Sequence, residues 1–220
     1  MNQLLELITP LHKKTKRGYL ERMQDNKIEC MKISKEYGRD YWDGDRRFGY
    51  GGYHYDGRWE VVARKMIELY KLTKDAKILD AGCGKGYLLY EFTKLLPGIK
   101  VRGFDISAYA IKDAKEEIKP NLSIQRVQDP FPYQDKEFDL VISVTTLHNL
   151  QIMDLKQALK EIQRVGKNKY IAVESFRNDT ELFNLECWAL TCQAFFSKPE
   201  WEWLFKEFGF SGDYEFIYFE

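Results

Sequence analysis

The chain changes its hydrophobic rhythm repeatedly, and each change predicts an element. Ile78–Ala81 has the length of a buried strand, and Leu88, Leu89, Phe92, Leu95 and Leu96 follow at helical spacing. Val101–Phe104 reads as the next strand. Ser107 then reads as a helix N-cap, followed by a helix over Tyr109–Ile118 that Pro120 ends. Leu122–Val127, Leu140–Ser143 and Tyr170–Val173 read as further strands. Between the last two, Ile152, Leu155, Leu159, Ile162 and Val165 form one helical face. Trp59, Val62, Met66 and Leu69 give the apolar face of a helix that leads into the first strand. Leu182–Phe196 is apolar enough for either a helix or an antiparallel edge strand. Ser197-Lys-Pro199 opens a helix carrying Trp201, Leu204, Phe205 and Phe208, Gly209-Phe210 ends it, and Tyr214–Phe219 alternates as a last strand. Strand and helix thus alternate, the pattern of a mostly parallel α/β sheet with helices on both faces.

Two stretches break this alternation. Residues 1–36 read as a helical lead-in, with Leu4, Leu5, Leu7, Ile8 and Leu11 as an apolar patch before the basic run Lys13–Arg17. That run suits either phosphate contact or a solvated helix face. Residues 37–59 hold six glycines, seven Tyr or Trp rings and four arginines, which no ordinary helix or strand carries. Gly51-Gly52 permits positive φ, while Arg39, Arg46, Arg47 and Arg58 supply forked donors and Tyr50, Tyr53 and Tyr55 stacking faces. A loop this long and this rich in recognition side chains is expected to act as a lid, to pin the arm to the domain, or to do both. The chain accordingly divides into an arm and lid over 1–57 and a main domain over 58–220.

The first strand ends in Asp80-Ala-Gly82-Cys83-Gly84-Lys-Gly86, and a strand, glycine turn and helix together bind nucleotide-like ligands at the carboxyl edge of a parallel sheet. The dinucleotide fingerprint needs a third glycine at position 87, where the chain has Tyr87. Asp80-x-Gly82-x-Gly84-x-Gly86 instead resembles motif I of the class I S-adenosylmethionine-dependent methyltransferases, the loop beneath the methionine part of the cofactor. The resemblance covers about residues 58–220 and implies the family's seven-stranded-type sheet, with the arm as an N-terminal helical and aromatic lid. It implies S-adenosylmethionine as cofactor and S-adenosylhomocysteine as product. Asp105, where the second strand should stop, is expected to accept ribose hydroxyls, with Ile106 beside it. Gln128 and Asp129 are expected near the adenine amine, although the family's usual aspartate position falls on Val127. Ser143 is expected to end the fourth strand over the methyl donor, and Arg58 to reach the cofactor carboxylate.

Lys plus Arg equals Asp plus Glu, so no basic excess favours a polyanion, and nucleic acid is not an expected partner. No apolar run approaches the roughly 18 residues that span a membrane. Cys30, Cys83, Cys187 and Cys192 show no Cys-x-x-Cys spacing, which with no secretory leader in view suggests reduced thiols in a cytoplasmic protein. The family's metal-assisted members place an aspartate where Ser143 stands, so no metal is expected.

Methyl transfer mainly needs two reactants held close and aligned, and an oxygen acceptor must also lose a proton. His148 and Glu174, at the ends of the fourth and fifth strands, are the two candidate bases, the alternative for Glu174 being an ion pair with Arg177. Asn149 and Arg177 join Arg47 and the lid tyrosines as candidate acceptor contacts. The Asn-Pro-Pro-Tyr motif of amino-group methylating members is absent after the fourth strand. These features suggest O-methylation of a small anionic or hydroxylated metabolite, such as a sugar, a phosphorylated compound or a surface-polysaccharide precursor. N-methylation of a small molecule or protein is the alternative within the family. A nicotinamide-dependent oxidoreductase or epimerase and a non-catalytic cofactor-binding module are the rivals outside it.

Overall fold

Side chains alternate across a strand, so a sheet buried on both faces needs apolar residues at consecutive positions. Ile78-Leu79, Leu140-Val141-Ile142 and Tyr170-Ile171-Ala172-Val173 meet that need, and all of these side chains are buried. In the computed structural model, which describes residues 3–220, they lie on strands β1 (Lys77–Ala81), β4 (Phe138–Val144) and β5 (Gly166–Glu174). Strands β2 (Lys100–Asp105), β3 (Leu122–Ile124) and β6 (Asp213–Ile217) complete one sheet, in the order β3-β2-β1-β4-β5-β6. Every neighbouring pair is parallel. The order reverses between β1 and β4, which opens a crevice at the carboxyl ends of those two strands.

Helices α5 (Glu60–Tyr70) and α6 (Tyr87–Leu95) cover one face, placing Val62, Met66, Leu88, Leu89 and Phe92 in one core with Ile78, Leu140 and Ile142. Helices α8 (Ile152–Val165) and α10 (Lys198–Glu207) cover the other, where Leu155, Leu159, Trp201 and Phe205 join Leu79, Val141 and Ile171. Each large apolar side chain so buried contributes about 2 kcal/mol.

The expected seven-stranded type is corrected to six strands among the described residues, with no antiparallel member. Beyond β6 the N-terminal segment takes the outer edge, where Leu5 N–H donates to the Tyr214 carbonyl and Tyr214 N–H to that of Gln3. The fully buried Glu215 carboxylate accepts the backbone N–H groups of Leu7, Ile8 and Thr9, which holds the segment in place. Met1 and Asn2, the start of the expected lead-in, lie outside the described residues.

The lead-in is three short helices, α1 (Thr9–His12), α2 (Tyr19–Gln24) and α3 (Lys27–Ser34), because Gly18 and the left-handed Asn26 interrupt it. The third strand stops at Ile124 rather than Val127, since its partner β2 ends at Asp105, opposite Ile124. Ser107 caps the helix after β2 as expected, accepting from Ala110 N–H, but that helix, α7, spans only Ala108–Lys112. In the ambiguous stretch the chain forms helix α9 (Asp179–Trp188) and then runs without helix or strand, donating from Gln193 and Ala194 N–H to the His148 carbonyl. No helix among the described residues is long and apolar enough to cross a membrane.

Candidate active site

Gly82 and Gly84 turn the chain out of β1 with φ of +87° and +54°, in the left-handed region that favours glycine. Both are also sterically closed. A Cβ on Gly82 would stand 2.2 Å from Thr146 Oγ1, and one on Gly84 would stand 2.7 Å from the Trp42 ring. Across the crevice, Thr145 follows β4 at φ +53°, an uncommon conformation for a β-branched residue.

The loop rich in rings folds over this crevice. Helix α4 (Arg39–Asp43) carries Trp42, whose indole N–H donates to Ser107 Oγ at 2.9 Å and whose ring stacks on Tyr50 at 5.2 Å and 7°. Tyr53 continues the pile onto Tyr87 of α6. Lys85, fully buried in the glycine loop, ion-pairs with Asp43 at 2.6 Å and Asp113 at 2.8 Å. The Asp43 carboxylate also accepts from Tyr109 OH and Tyr53 N–H, so it joins the lid, the glycine loop and α7.

Two cavities share Trp42, Tyr50, Gly82, Thr145 and Asn149 as walls. One, of about 390 Å³, is lined by Asp105, Ile106, Val127 and Gln128. The other, of about 420 Å³, is lined by Asp80, Cys83, Gly84, Tyr53, Arg58, His148 and Glu174. Asp105 accepts backbone N–H bonds from Gly84 and Ser107, both at 2.8 Å. Burial and the neighbouring Asp105 push the Asp80 carboxyl up to about 8. Five buried side-chain polar atoms lack a hydrogen-bond partner among the described residues. Four of them, His12 Nε2, Arg17 Nε, Asp80 Oδ1 and Asn149 Oδ1, belong to walls of the second cavity. Buried polar groups are seldom left unpaired, so their concentration here marks a place built for a ligand.

His148 Nδ1 accepts the Glu174 backbone N–H at 3.1 Å, which leaves the ring proton on Nε2, 3.5 Å from Glu174 Oε2. Burial holds the imidazole neutral, with its pKa down at about 3. Burial raises Glu174 to about 7, against a lowering pull from the Arg17 charge.

Residues 72–209 match a family described as a methyltransferase domain. The chain belongs to the S-adenosylmethionine-dependent class I methyltransferases. Its cofactor is S-adenosylmethionine, and the site fits that group. Asp80 Oδ1 offers an unpaired acceptor for an ammonium, and Asp105 lies at the end of β2 on the wall of the first cavity. Among curated relatives, mouse arginine-hydroxylase NDUFAF5 is 33% identical over 129 residues, covering 58% of this chain and 37% of the relative. Demethylmenaquinone methyltransferase of Chlorobaculum tepidum is 32% identical, covering 51% of this chain and 46% of the relative. The chain thus spans less than half the length of either. A SAM-dependent methyltransferase from Aquifex aeolicus shares the fold, with a TM-score of 0.50, 20% identity and coverage of 70% of this chain and 83% of that one.

Several residues singled out from the sequence lie elsewhere. Asp129 and Ser143 line neither cavity, and Ser143 Oγ donates to the Ala81 carbonyl within the sheet. Tyr55 turns away to donate to Glu91, and Arg47 ion-pairs with Asp25. Arg177 pairs with Glu181 and Glu220 rather than with Glu174. Arg58 lines the second cavity while also pairing with Asp56. The sequence reading gave Arg22, Trp188 and Thr145 no place in the site, and left Arg17 within a basic run of two possible readings.

Proposed function

We propose that this chain methylates an oxygen of a small anionic or hydroxylated acceptor, with Glu174 as the base and His148 as its positioning residue. The observation that carries the reading is the half-buried Glu174 carboxylate, raised toward neutrality, held beside His148 on the wall of the cavity that also contains the glycine loop. When bound, S-adenosylmethionine supplies an electrophilic methyl group. Asp80 is the proposed partner of its ammonium, Arg58 of its carboxylate and Asp105 of its ribose. Ile106, Gln128 and Val127 are the proposed walls about its adenine. The Trp42–Tyr50 stack closes over the loop and excludes water, which strengthens the electrostatic interactions beneath it.

Glu174 takes the proton from the acceptor hydroxyl. His148 cannot readily take it, because Nδ1 is occupied by a backbone N–H and Nε2 already bears a proton. The imidazole instead faces that proton toward Glu174 and orients the carboxylate. Tyr50, Tyr53 and Asn149 are the proposed acceptor contacts. A sugar, a phosphorylated compound or a surface-polysaccharide precursor in the cytoplasm suits such a site.

The test incubates the protein with labelled S-adenosylmethionine and fractionated small metabolites. A methyl group on oxygen supports the reading, while one on nitrogen or on RNA overturns it. Glu174→Gln should lower turnover about a hundredfold. Because Glu174 works as its anion, the wild-type rate should rise with pH through about 7 and level off above it. Arg17→Met removes the charge that lowers Glu174, so that limb should move to higher pH. An unmoved limb, or full activity in Glu174→Gln, would assign the proton elsewhere.

A further inference from the structure

The structure assigns Arg17, Arg22 and Arg46 to a subsite for a phosphate-type dianion borne by the acceptor, an inference that rests on the methyl-transfer reading above. The three arginines come from different places: the segment before α2, α2 itself, and the lid. They nevertheless converge on one ring. Their guanidinium carbons stand 5.4, 4.3 and 4.9 Å from the centre of Trp188, at the end of α9. All three, with Trp188, line the cavity that holds Glu174 and the glycine loop.

What the three lack is a counter-charge. Among the described residues their hydrogen bonds run to neutral acceptors. Arg22 donates to the carbonyls of Arg46 and Arg47 at 3.0 and 2.8 Å. Arg17 donates to those of His12 and Thr15 and contacts His12 Nδ1. Arg46 donates to the carbonyl of Gly49. These bonds fix the guanidinium planes without neutralising them. Arg47, Arg58, Arg164 and Arg177, by contrast, each hold a carboxylate.

Bringing three cations together in a partly desolvated wall is unfavourable unless an anion joins them. The strain registers on Arg22, whose pKa is pushed down to about 10 by burial and by Arg46. His12, whose pKa burial and Arg17 lower to about 3, adds no charge. Glu174 supplies the field of one carboxylate, felt at Arg17. Asp25, whose field also reaches Arg22, is itself paired with Arg47, so the three arginines and Glu174 leave a surplus of two, which matches a phosphate monoester better than a single carboxylate. The forked donors match phosphate oxygens geometrically, and Arg17 Nε–H is a buried donor still without a partner.

The experiment is calorimetric titration of the full chain, saturated with S-adenosylhomocysteine, using inorganic phosphate and then acetate at constant ionic strength. Phosphate should bind at least about tenfold more tightly than acetate. Arg46→Met and Arg22→Met should each weaken phosphate about tenfold or more while leaving S-adenosylhomocysteine affinity within about twofold. Arg46→Met decides the matter if Arg22→Met fails to fold, since the Arg46 side chain hydrogen-bonds only to Gly49 of its own loop and the carbonyl that Arg22 uses is kept. Phosphate binding that is absent, equal to acetate, or unchanged in Arg46→Met overturns the subsite. Failure of S-adenosylhomocysteine to bind the wild type would instead overturn the cofactor assignment, so the two failures are told apart.

Discussion

Lowering the pH should weaken product-cofactor binding by an amount set by one proton on Asp80. The carboxyl is 4% exposed, and burial together with Asp105 raises it to about 8. Free protein at neutral pH therefore carries Asp80 protonated. An ammonium docked against Oδ1 favours the anion, so binding must expel that proton. Affinity then falls by the factor 1 + 10^(pKa − pH), which is about 4 at about pH 7.5 and about 100 at about pH 6. The expected weakening is about 25-fold, or about 2 kcal/mol. Calorimetry with S-adenosylhomocysteine measures it, and repeating the titration in buffers of different ionisation enthalpy should show about one proton released per site near pH 6. Asp80→Asn should flatten the profile. The same linkage acts on folding: the native value lies above the unfolded one, so Asp80's contribution to ligand-free stability declines as pH rises from about 4 to about 8. A flat wild-type affinity profile, or an equal slope in Asp80→Asn, would refute the placement of the ammonium at Asp80.

Two further predictions concern how the arm is held. Lys85→Met should destabilise the protein by about 3 kcal/mol in urea unfolding, because it leaves Asp43 half-buried without its cation, and it should raise susceptibility to proteolysis within residues 37–59. Glu215→Gln should cost about 2 kcal/mol in the same assay, since its amide must turn one N–H toward the donors that now point at a carboxylate. Unchanged urea stability in Glu215→Gln would show that the N-terminal segment is held by its other contacts, the backbone bonds to Tyr214 among them, and not by this carboxylate.

Local pattern made the sheet legible because parallel strands buried on both faces are short apolar runs, and each is followed by a helix with one apolar face. The glycine loop was legible for a similar reason, as positive φ at Gly82 and Gly84 is a local requirement. Boundaries set by partners were not. Where β3 ends depends on where β2 stops, and whether β6 has an outer neighbour depends on residues some two hundred positions away. His148 and Glu174 were singled out because both follow strand ends, and the structure brings the two together on one cavity wall. Arg177 is drawn instead to Glu181, four residues on in the first turn of α9, and to Glu220. Which rings of the 37–59 segment line the cavity was not legible: Tyr50 and Tyr53 do, while Tyr55 is drawn off by Glu91.

The distribution of unmet polar groups separates binding wall from scaffold. Several charges away from the cavities are paired with carboxylates, Lys85 with two aspartates, Arg164 with Glu161 and Asp135, Arg177 with Glu181 and Glu220. On the cavity walls the pairing lapses at opposite signs. Asp80 near the end of β1 has a carboxylate oxygen without a hydrogen-bond partner, and Arg17, Arg22 and Arg46 are cations that hydrogen-bond only neutral acceptors. Glu174 stands between, close enough for the Arg17 charge to act on it. A ligand pair that places an ammonium at one end and an anion at the other would meet both deficits, and Glu174 would then face the space where the two ligands meet. The arm is therefore more than a cover. On the function and subsite proposed above, it supplies the charge that chooses the acceptor and, through Arg17, tunes the group that deprotonates it.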